Sequence, residues 1–232
     1  MELKLLYHNK IERSLLLDSN NRLDAEFYTN ENVLAIAKAL LGKILVTRLD
    51  EVFTAARIVE TEAYNGITDK ASHAFGDRRT NRTATMYGNG GLAYVYLCYG
   101  IHHLFNVVTN TTGIPHAVLI RGAEPVYGID IMLQRTKKPA LDNSLTRGPG
   151  NLSKALGITT ALDKTSLTSP TVYIINDGYT YATDRILTSP RIGVDYAGED
   201  ALLPYRFFIK DNPYVSGQAP KTKVRKNIIT NP

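Results

Sequence analysis

Arg57-Ile58-Val59-Glu60-Thr61-Glu62-Ala63-Tyr64 is the stretch that decides the fold of this 232-residue chain. Its apolar and β-branched residues predict a strand, in which successive side chains face opposite ways. Glu60 and Glu62 therefore share one face, about 7 Å apart along a strand that rises about 3.3 Å per residue. Burying an unpaired charge costs on the order of several kcal/mol, so the two carboxylates must be paired, solvated or functional. The strand alone leaves a salt bridge with a nearby arginine and a functional site equally open.

Apolar segments on both sides of this strand predict an α+β fold. The predicted helices cover residues 31–41 and 126–134, the second with Pro125 as its first residue, and a short helix begins near residue 151. Strands outnumber helices and do not alternate regularly with them, which favours α+β over a doubly wound sheet. The predicted strands are residues 44–46, 57–64, 92–97, 105–109, 117–121, 172–175, 186–187, 192–194 and 205–209.

The composition is that of a globular protein with a moderate basic bias. Hydrophobic residues make up 44% of the chain, charged residues 21%, and the net charge is +5, which fits a polyanionic partner without requiring one. We expect residues 1–232 to form one domain, with a poorly patterned segment at 1–30 and a basic tail at 221–232; two small domains are also possible. The single cysteine, Cys98, excludes an internal disulfide and a cysteine-based zinc cluster. The N-terminus lacks a signal-peptide pattern and the apolar runs are too short to cross a bilayer, so a cytoplasmic protein is expected.

Residues 66–91 form a long polar segment with several glycines, which in a compact domain is either functional or mobile. Arg78, Arg79 and Arg82 lie on it and either meet phosphates or form a solvated charge run. A second candidate phosphate site is the helix start near residue 151, whose free amides lie close to Lys154. A plain capped helix is the ordinary interpretation of that feature.

Three tyrosines follow on the strand after this segment. Tyr94 and Tyr96 share one strand face, and Tyr99 precedes the turn residue Gly100. An aromatic core strand is the common meaning of such alternation. The alternative is a stacking wall with Tyr99 at an exposed tip.

A metal site would need His73, His102 or His103 together with Glu60 and Glu62. The signal is weak, because the sequence has no HExxH pair and adjacent histidines on a strand point apart. Glycine-rich phosphate motifs and the GxSxG nucleophile turn are also missing from the sequence.

At these residues the sequence resembles the alkyladenine (3-methyladenine, N-methylpurine) DNA glycosylase family. In order and spacing the resemblance covers most of the chain after residue 30. The segments that carry it are residues 57–64, His73, 79–82, 94–96, 99–100, 119–125, 148–150, 154–156, 191–194, 197–199, 204–208 and 213–216.

The resemblance implies a monofunctional enzyme that flips an alkylated or deaminated purine out of duplex DNA and hydrolyses its N-glycosidic bond, leaving an abasic site. It implies a single mixed α/β domain around a curved, largely antiparallel β-sheet. The expected partner is double-stranded DNA that contains a damaged purine, bound by a monomer without a cofactor, a metal or a membrane. The expected location is the cytoplasm, at a prokaryotic nucleoid, or a nucleus, and not a secreted compartment.

The catalytic roles implied by the resemblance belong to three residues. Glu62 is the general base that activates the attacking water, which Arg121 and the backbone carbonyl of Ile192 help to hold. The chemistry suits a carboxylate, because loss of a purine passes through an oxocarbenium-like sugar that a nearby negative charge stabilises. Glu60 has no catalytic role in this interpretation and pairs with a basic side chain.

The binding roles implied by the resemblance belong to five residues. Tyr64, His73 and Tyr96 sandwich the flipped base, and Tyr99 fills the gap left in the duplex. Asn106 lies under the purine, where it clashes with the 2-amino group of normal guanine. N3- and N7-alkylated purines are cations, so tyrosine faces attract them by a further ~0.5–2 kcal/mol.

Two other functions are compatible with the same residues. One is a metal-dependent hydrolase that uses Glu60, Glu62 and a histidine. The other is a non-catalytic nucleic-acid-binding module, which explains the arginines and tyrosines but leaves a carboxylate facing a polyanion. We also expect no abasic-site lyase activity, because lyases use an amine nucleophile and Lys70 is the lone lysine of the 62–99 stretch.

Overall fold

A computed structural model describes residues 11–217 of the chain. The predicted basic tail at 221–232 and the first ten residues of the poorly patterned segment lie outside this range. The helices are α1 (Arg13–Leu17), α2 (Ala25–Tyr28), α3 (Val33–Ala39), α4 (Ile129–Thr136) and α5 (Pro149–Leu156). The strands are β1 (Ile44–Leu49), β2 (Val52–Asn65), β3 (Ala93–Cys98), β4 (His102–Thr109), β5 (His116–Tyr127), β6 (Val172–Ile175), β7 (Ile186–Ser189) and β8 (Arg206–Ile209).

The strands form one antiparallel sheet around β2. The order is β3-β4-β5-β2-β1-β6, and β8 joins β2 while pairing with β7. The pairing of β2 with β5 shifts register at Ala55/Ala56 and again on both sides of Glu60. Such irregularities bend a strand and increase its twist, so the sheet curls. The prediction of an α+β domain around a curved antiparallel sheet is confirmed.

The curl of the sheet encloses the main core. Residues 53–63 of β2 are all buried, because α3 covers the strand and α5 packs on β4 and β5. The largest core cluster combines Ile58 and Val59 of β2 with Ile36 of α3 and Leu152 of α5. Polar side chains on β2 must therefore find partners inside the protein.

The predicted helix at 126–134 is partly wrong. Strand β5 continues through Pro125 to Tyr127, and α4 starts only at Ile129. Proline has no N–H to donate, but Pro125 pairs with Ala56 next to a register shift, where the ladder is already irregular. Gly128 (φ +70°) then turns the chain into the helix, and a side chain at that position would collide with the carbonyl oxygen of Phe53.

The predicted strand at 192–194 is wrong. These residues form bends, because Gly193 has a φ of +75° and breaks the extended conformation. Ile192 stays 37% exposed. This segment therefore lies outside the sheet's hydrogen-bond ladder, although it touches the sheet.

Two other segments are more ordered than the sequence indicated. Residues 66–91 contain three short 3₁₀ helices, Gly66–Thr68, Phe75–Asp77 and Ala84–Tyr87, and bury Met86. Residues 11–30 form α1 and α2 and bury Tyr28 completely. The predicted helix at 31–41 is shorter at both ends, since α3 covers only Val33–Ala39 and Asn32 caps it by accepting from the Ala35 N–H. None of the helices described between residues 11 and 217 could cross a membrane.

Candidate active site

The end of β2 holds the predicted base, Glu62, in a fully buried position. Its Oε1 accepts the backbone N–H of Ile192 at 2.7 Å. Its Oε2 accepts the Tyr64 hydroxyl at 2.9 Å and the Nη1 of Arg121 at 3.3 Å. Three donors thus fix the carboxylate in one orientation.

Glu60, two residues earlier, is also fully buried but has a different set of partners. Its Oε1 accepts from Arg206 Nε at 2.7 Å, Arg121 Nε at 3.2 Å and Ser216 Oγ at 2.9 Å. Its Oε2 accepts the backbone N–H of Ser216 at 2.7 Å. The expected pairing of Glu60 with a basic side chain is confirmed, and two arginines share it.

Arg121, on β5, connects the two carboxylates. Its Nε binds Glu60, its Nη1 binds Glu62 and its Nη2 donates to Ser216 Oγ at 3.2 Å. Burial alone would lower the pKa of Arg121, but the adjacent Glu62 and Glu60 carboxylates outweigh it and raise the pKa. The arginine is therefore a fixed cation beside Glu62.

A cavity of about 720 Å³ opens beside this network. It is lined by residues that include Tyr64, Arg121 and Ile192, the three residues that contact Glu62. Glu62 itself lies one layer behind them. The cavity thus has a mixed aromatic and cationic wall, with the buried Glu62 carboxylate behind it.

The aromatic wall comes from β3 and from the segment after β2. The His73 and Tyr96 rings meet edge to face with centroids 4.7 Å apart, and Tyr94 lies 5.4 Å from Tyr96. Tyr64 lines the same cavity. Tyr94 is buried in a core cluster, as expected of an aromatic core strand, and both Tyr94 and Tyr96 also line the cavity.

His73 is held as a neutral ring. Burial, followed by the charges of Arg82 and Arg78, lowers the pKa of His73 to about 4. Arg82 lies 3.3 Å from its Nε2 and can only donate, so Nε2 accepts and the proton resides on Nδ1. Nδ1 then donates to the Tyr94 hydroxyl at 2.8 Å.

The remaining predicted residues lie around the same cavity. Asn106 is buried on β4 and donates through Nδ2 to the Tyr94 carbonyl at 3.1 Å. Tyr99 is 90% exposed at the turn between β3 and β4, with a φ of +51°. Asn106, Tyr99 and Ile192 all line the cavity, so the structure brings the predicted set together.

Cations surround the cavity mouth. Lys70, Arg78 and Arg82 line it, and the guanidinium of Arg82 lies 4.8 Å above the Tyr96 ring. Arg79 lies just outside and covers the Tyr87 ring.

The predicted helix near residue 151 is α5, whose Gly150 packs against the His102 ring of β4.

The ligands that a metal-dependent hydrolase would need are not brought together. His73 binds Tyr94 and Arg82, and His103 accepts the backbone N–H of Thr160 through Nδ1. Within residues 11–217, three His, Cys, Asp or Glu side chains nowhere converge as a metal-binding group.

Sequence reasoning missed the residues that hold the site from behind. Arg191 makes a buried bidentate ion pair with Asp69, at 2.5 and 2.8 Å. Arg206 and Ser216 fix Glu60. The arginines lie within the segments that resemble the glycosylase family, but the local sequence gives no signal for partners 122 or 146 residues away.

The sequence model of one protein family, described as methylpurine-DNA glycosylase, matches residues 26–213. The chain belongs to the methylpurine-DNA glycosylase family. The match spans β1 to β8 and every residue of the candidate site except Ser216. The predicted resemblance is confirmed, and the chain is a DNA glycosylase, a hydrolase that acts on N-glycosyl bonds in base excision repair.

Relatives in distant organisms support the same family. A protein of Chlamydia felis is 47% identical over 190 residues, which cover 81% of this chain and 95% of the relative. One from Desulfitobacterium hafniense is 45% identical over 202 residues (84% and 98%), and one from Methanocella arvoryzae is 46% identical over 198 residues (85% and 97%). Each bears the name "Putative 3-methyladenine DNA glycosylase".

Proposed function

We propose that this glycosylase flips an alkylated or deaminated purine out of duplex DNA and hydrolyses its N-glycosidic bond, with Glu62 as general base. The observation that carries the proposal is the buried Glu62 carboxylate, held by Arg121 and Tyr64 directly behind an aromatic cavity. A carboxylate there has no use in holding a polyanion. It suits a reaction in which positive charge develops on the sugar.

The hydrogen bonds of Glu62 leave part of its acceptor capacity unused. A carboxylate offers about four lone-pair sites, of which Tyr64 and Arg121 fill two on Oε2 and Ile192 fills one on Oε1. The fourth site lies on Oε1. We propose that the attacking water binds there and that the Ile192 carbonyl helps to hold it.

The proposed reaction balances without a cofactor. The bond between C1′ and the purine nitrogen breaks with its electron pair leaving on the purine. The water oxygen forms a bond to C1′, and its proton passes to Glu62. The products are a free purine and an abasic deoxyribose. Glu62 then gives its proton to solvent when the purine left from a cation, and to the purine anion through solvent when the substrate base was neutral. An alkylated purine that already carries a positive charge is the easiest leaving group.

The aromatic side chains of the cavity wall support recognition of a planar, electron-poor base. Tyr64 and Tyr96, with neutral His73, supply the ring faces that stack on it, at about 1–3 kcal/mol per base. Neutral His73 avoids placing a cation against a cationic purine. Asn106, on β4 at the cavity wall, excludes guanine by contact with its 2-amino group.

The exposed rim supports binding to bent duplex DNA. Tyr99 projects from the β3–β4 turn and fills the gap that the flipped nucleotide leaves, which offsets an extrusion cost of a few kcal/mol. Arg78, Arg79 and Arg82 bind the backbone phosphates nearby. One copy of the chain supplies this complete set, so we propose a monomer that acts on DNA in a nucleoid or nucleus.

We propose hydrolysis without strand cleavage. A lyase needs a lysine activated by desolvation or by a neighbouring cation. Lys70 lines the cavity mouth, but its side chain is exposed. An abasic-site cleavage assay on the purified protein tests this expectation, and cleavage that disappears in Lys70→Ala would contradict it.

The deciding experiment is single-turnover base release from duplexes that carry one methylpurine or one hypoxanthine, with EDTA present. We expect release by the wild type and a rate lower by about 10²–10⁴-fold in Glu62→Gln, with DNA affinity retained. Release by both proteins would keep the enzyme class and assign the base elsewhere. Binding of the lesion duplex without release by either protein would favour the non-catalytic binding module.

A further inference from the structure

The proposed reaction makes no use of the buried ion pair between Arg191 and Asp69. Both side chains are almost completely inaccessible, at 0% and 1% exposure. The guanidinium binds the carboxylate with two parallel hydrogen bonds, Nη1 to Oδ2 at 2.5 Å and Nη2 to Oδ1 at 2.8 Å. A bidentate pair of this kind fixes direction as well as distance.

The same pair ties together four backbone segments around the active site. Arg191 donates to the carbonyl of Ala63 at 2.9 Å and to that of Asp200 at 3.1 Å. Asp69 accepts the backbone N–H groups of Asn65 and Ala71. The pair thus connects the end of β2, the segment that leads to His73, the 3₁₀ helix Asp195–Leu202 and the segment of Arg191 itself.

Two of these attachments adjoin Glu62 directly. Ala63 is its neighbour in β2, and Ile192, whose N–H binds Glu62 Oε1, follows Arg191 in the chain. The Arg191 guanidinium also lies 4.9 Å from the Tyr64 ring. Residues 190–194 have no strand partner, so side-chain contacts, and not a β-ladder, must hold the Ile192 backbone in place.

We propose that Arg191 and Asp69 are positioning residues of the glycosylase, which set the Ile192 backbone and the Tyr64 ring against Glu62. They touch neither DNA nor water in the reaction. Their effect is on the rate of bond cleavage, because misplacing a reacting group by about 1 Å can cost about 100-fold in rate. This inference rests on the proposed role of Glu62.

The chain offers a matched control in the first half of β2. Arg57 binds Asp177 with two parallel hydrogen bonds, at 3.0 and 2.6 Å, and donates to the carbonyl of Gly42 at 2.7 Å. Its guanidinium also lies on an aromatic ring, 4.4 Å from that of Tyr179. The two pairs are alike in chemistry, and neither lines the cavity. They differ in their neighbours, because Arg191 adjoins Ile192 and Tyr64, which line the cavity, whereas Gly42, Tyr179 and Asp177 do not.

The test compares Arg191→Lys with Arg57→Lys, since lysine keeps the charge and loses the bidentate geometry. For each variant, the Tm, the Kd for a methylpurine duplex and the single-turnover rate at saturating enzyme are measured, the latter two well below the Tm. We expect both variants to lower the Tm. Only Arg191→Lys should slow base release, by about 10–100-fold, while its Kd changes less than about threefold.

Two outcomes would overturn the inference. In the first, Arg191→Lys loses Tm as Arg57→Lys does but releases base within about threefold of the wild-type rate. In the second, its loss of rate is explained by a weaker Kd. If Arg191→Lys does not fold, Asp69→Asn and Asp177→Asn provide the same comparison. Failure of the proposed function gives a different result. In that case the wild type would release no base, or Glu62→Gln would release base at the wild-type rate.

Discussion

The two halves of β2 bury polar side chains equally well and use them differently. In residues 52–58, Arg57 pairs with Asp177, and Thr54 shares a hydrogen bond with Thr47 at 2.7 Å. In residues 59–65, Glu60 and Glu62 pair with arginines at comparable distances. Burial and ion pairing alone therefore do not distinguish the candidate site.

The difference lies in what surrounds the second half. There the strand pairs with β5 and β8, its register with β5 shifts around Glu60, and it ends at the aromatic cavity. Glu60 accepts four hydrogen bonds, from Arg121, Arg206 and Ser216. Glu62 accepts three, and the residues that donate them, Tyr64, Arg121 and Ile192, all line the cavity. We therefore expect Glu60 to contribute mainly to stability, and the proposed chemistry belongs to Glu62.

The largest expected effect tests that division. Glu60→Gln removes the carboxylate that pairs with Arg206 and one of the two that pair with Arg121, and breaking a buried ion pair costs about 3–5 kcal/mol. We expect the free energy of unfolding, measured in urea, to fall by that amount. Glu62→Gln should lose less stability and far more base release. If Glu60→Gln were fully stable and as inactive as Glu62→Gln, both carboxylates would belong to the catalytic group.

Much of the fold was predictable because the strands carry their own signal. Alternation and β-branched residues located β1, β3, β4, β6, β7 and β8 to within three residues, and more than half of β2. The two failures, at Pro125 and at residues 192–194, have local sequences that suit a helix start and a strand. In both places the tertiary structure overrides the local preference. Pro125 is accepted in β5 because the ladder is irregular there, and the positive φ of Gly193 prevents an extended strand.

The site was predictable where it depends on neighbouring strands or on the family resemblance. Glu60 and Glu62 share a strand face by simple alternation, and β5 brings Arg121 to both. The Ile192 N–H and the Asp69–Arg191 pair were not predictable, because they join irregular segments more than 100 residues apart. Periodicity carries no information about such contacts.

A second, smaller effect is that groups beside the two halves of β2 change the free energy of unfolding in different pH ranges. The pKa of His73, beside the second half, is lowered from 6.5 to about 4. The unfolded chain binds this proton first, so the free energy of unfolding falls as the pH drops from 6.5 to 4. Burial would raise the pKa of Asp177, but the hydrogen bond and charge of Arg57 lower it below 3.8. That stabilisation is present above pH 3.8 and is lost below it.

Urea denaturation across pH 3–8 measures both windows. Each unit of difference between the folded and unfolded pKa of a group changes the free energy of unfolding by about 1.4 kcal/mol. Because His73 is partly exposed, we expect its total contribution to be about 2 kcal/mol. His73→Gln should flatten the curve between pH 6.5 and 4 and leave the lower window unchanged. Asp177→Asn should do the reverse. A His73→Gln curve that keeps the wild-type slope would assign the proton to another group.

The smallest effect concerns single hydroxyl groups in the two halves of β2. Burial, and after it the charge of Glu62, raises the pKa of Tyr64, so its hydroxyl stays a donor to Glu62 at neutral pH. Tyr64→Phe keeps the ring and removes that bond, which is worth about 1 kcal/mol. We expect base release to slow about fivefold, because Glu62 loses one of the three donors that orient it.

Thr54→Val is the matched change in the first half of the strand, where it removes the bonds to Thr47 and Arg135. It should lower the free energy of unfolding by about 1 kcal/mol and leave the release rate unchanged. Unfolding in urea and single-turnover release on both variants give the two quantities. Slower release in Thr54→Val would mean that a change in the first half of β2 alters the geometry of the second half. An unchanged rate in Tyr64→Phe would mean that Arg121 and the Ile192 N–H are enough to orient the base.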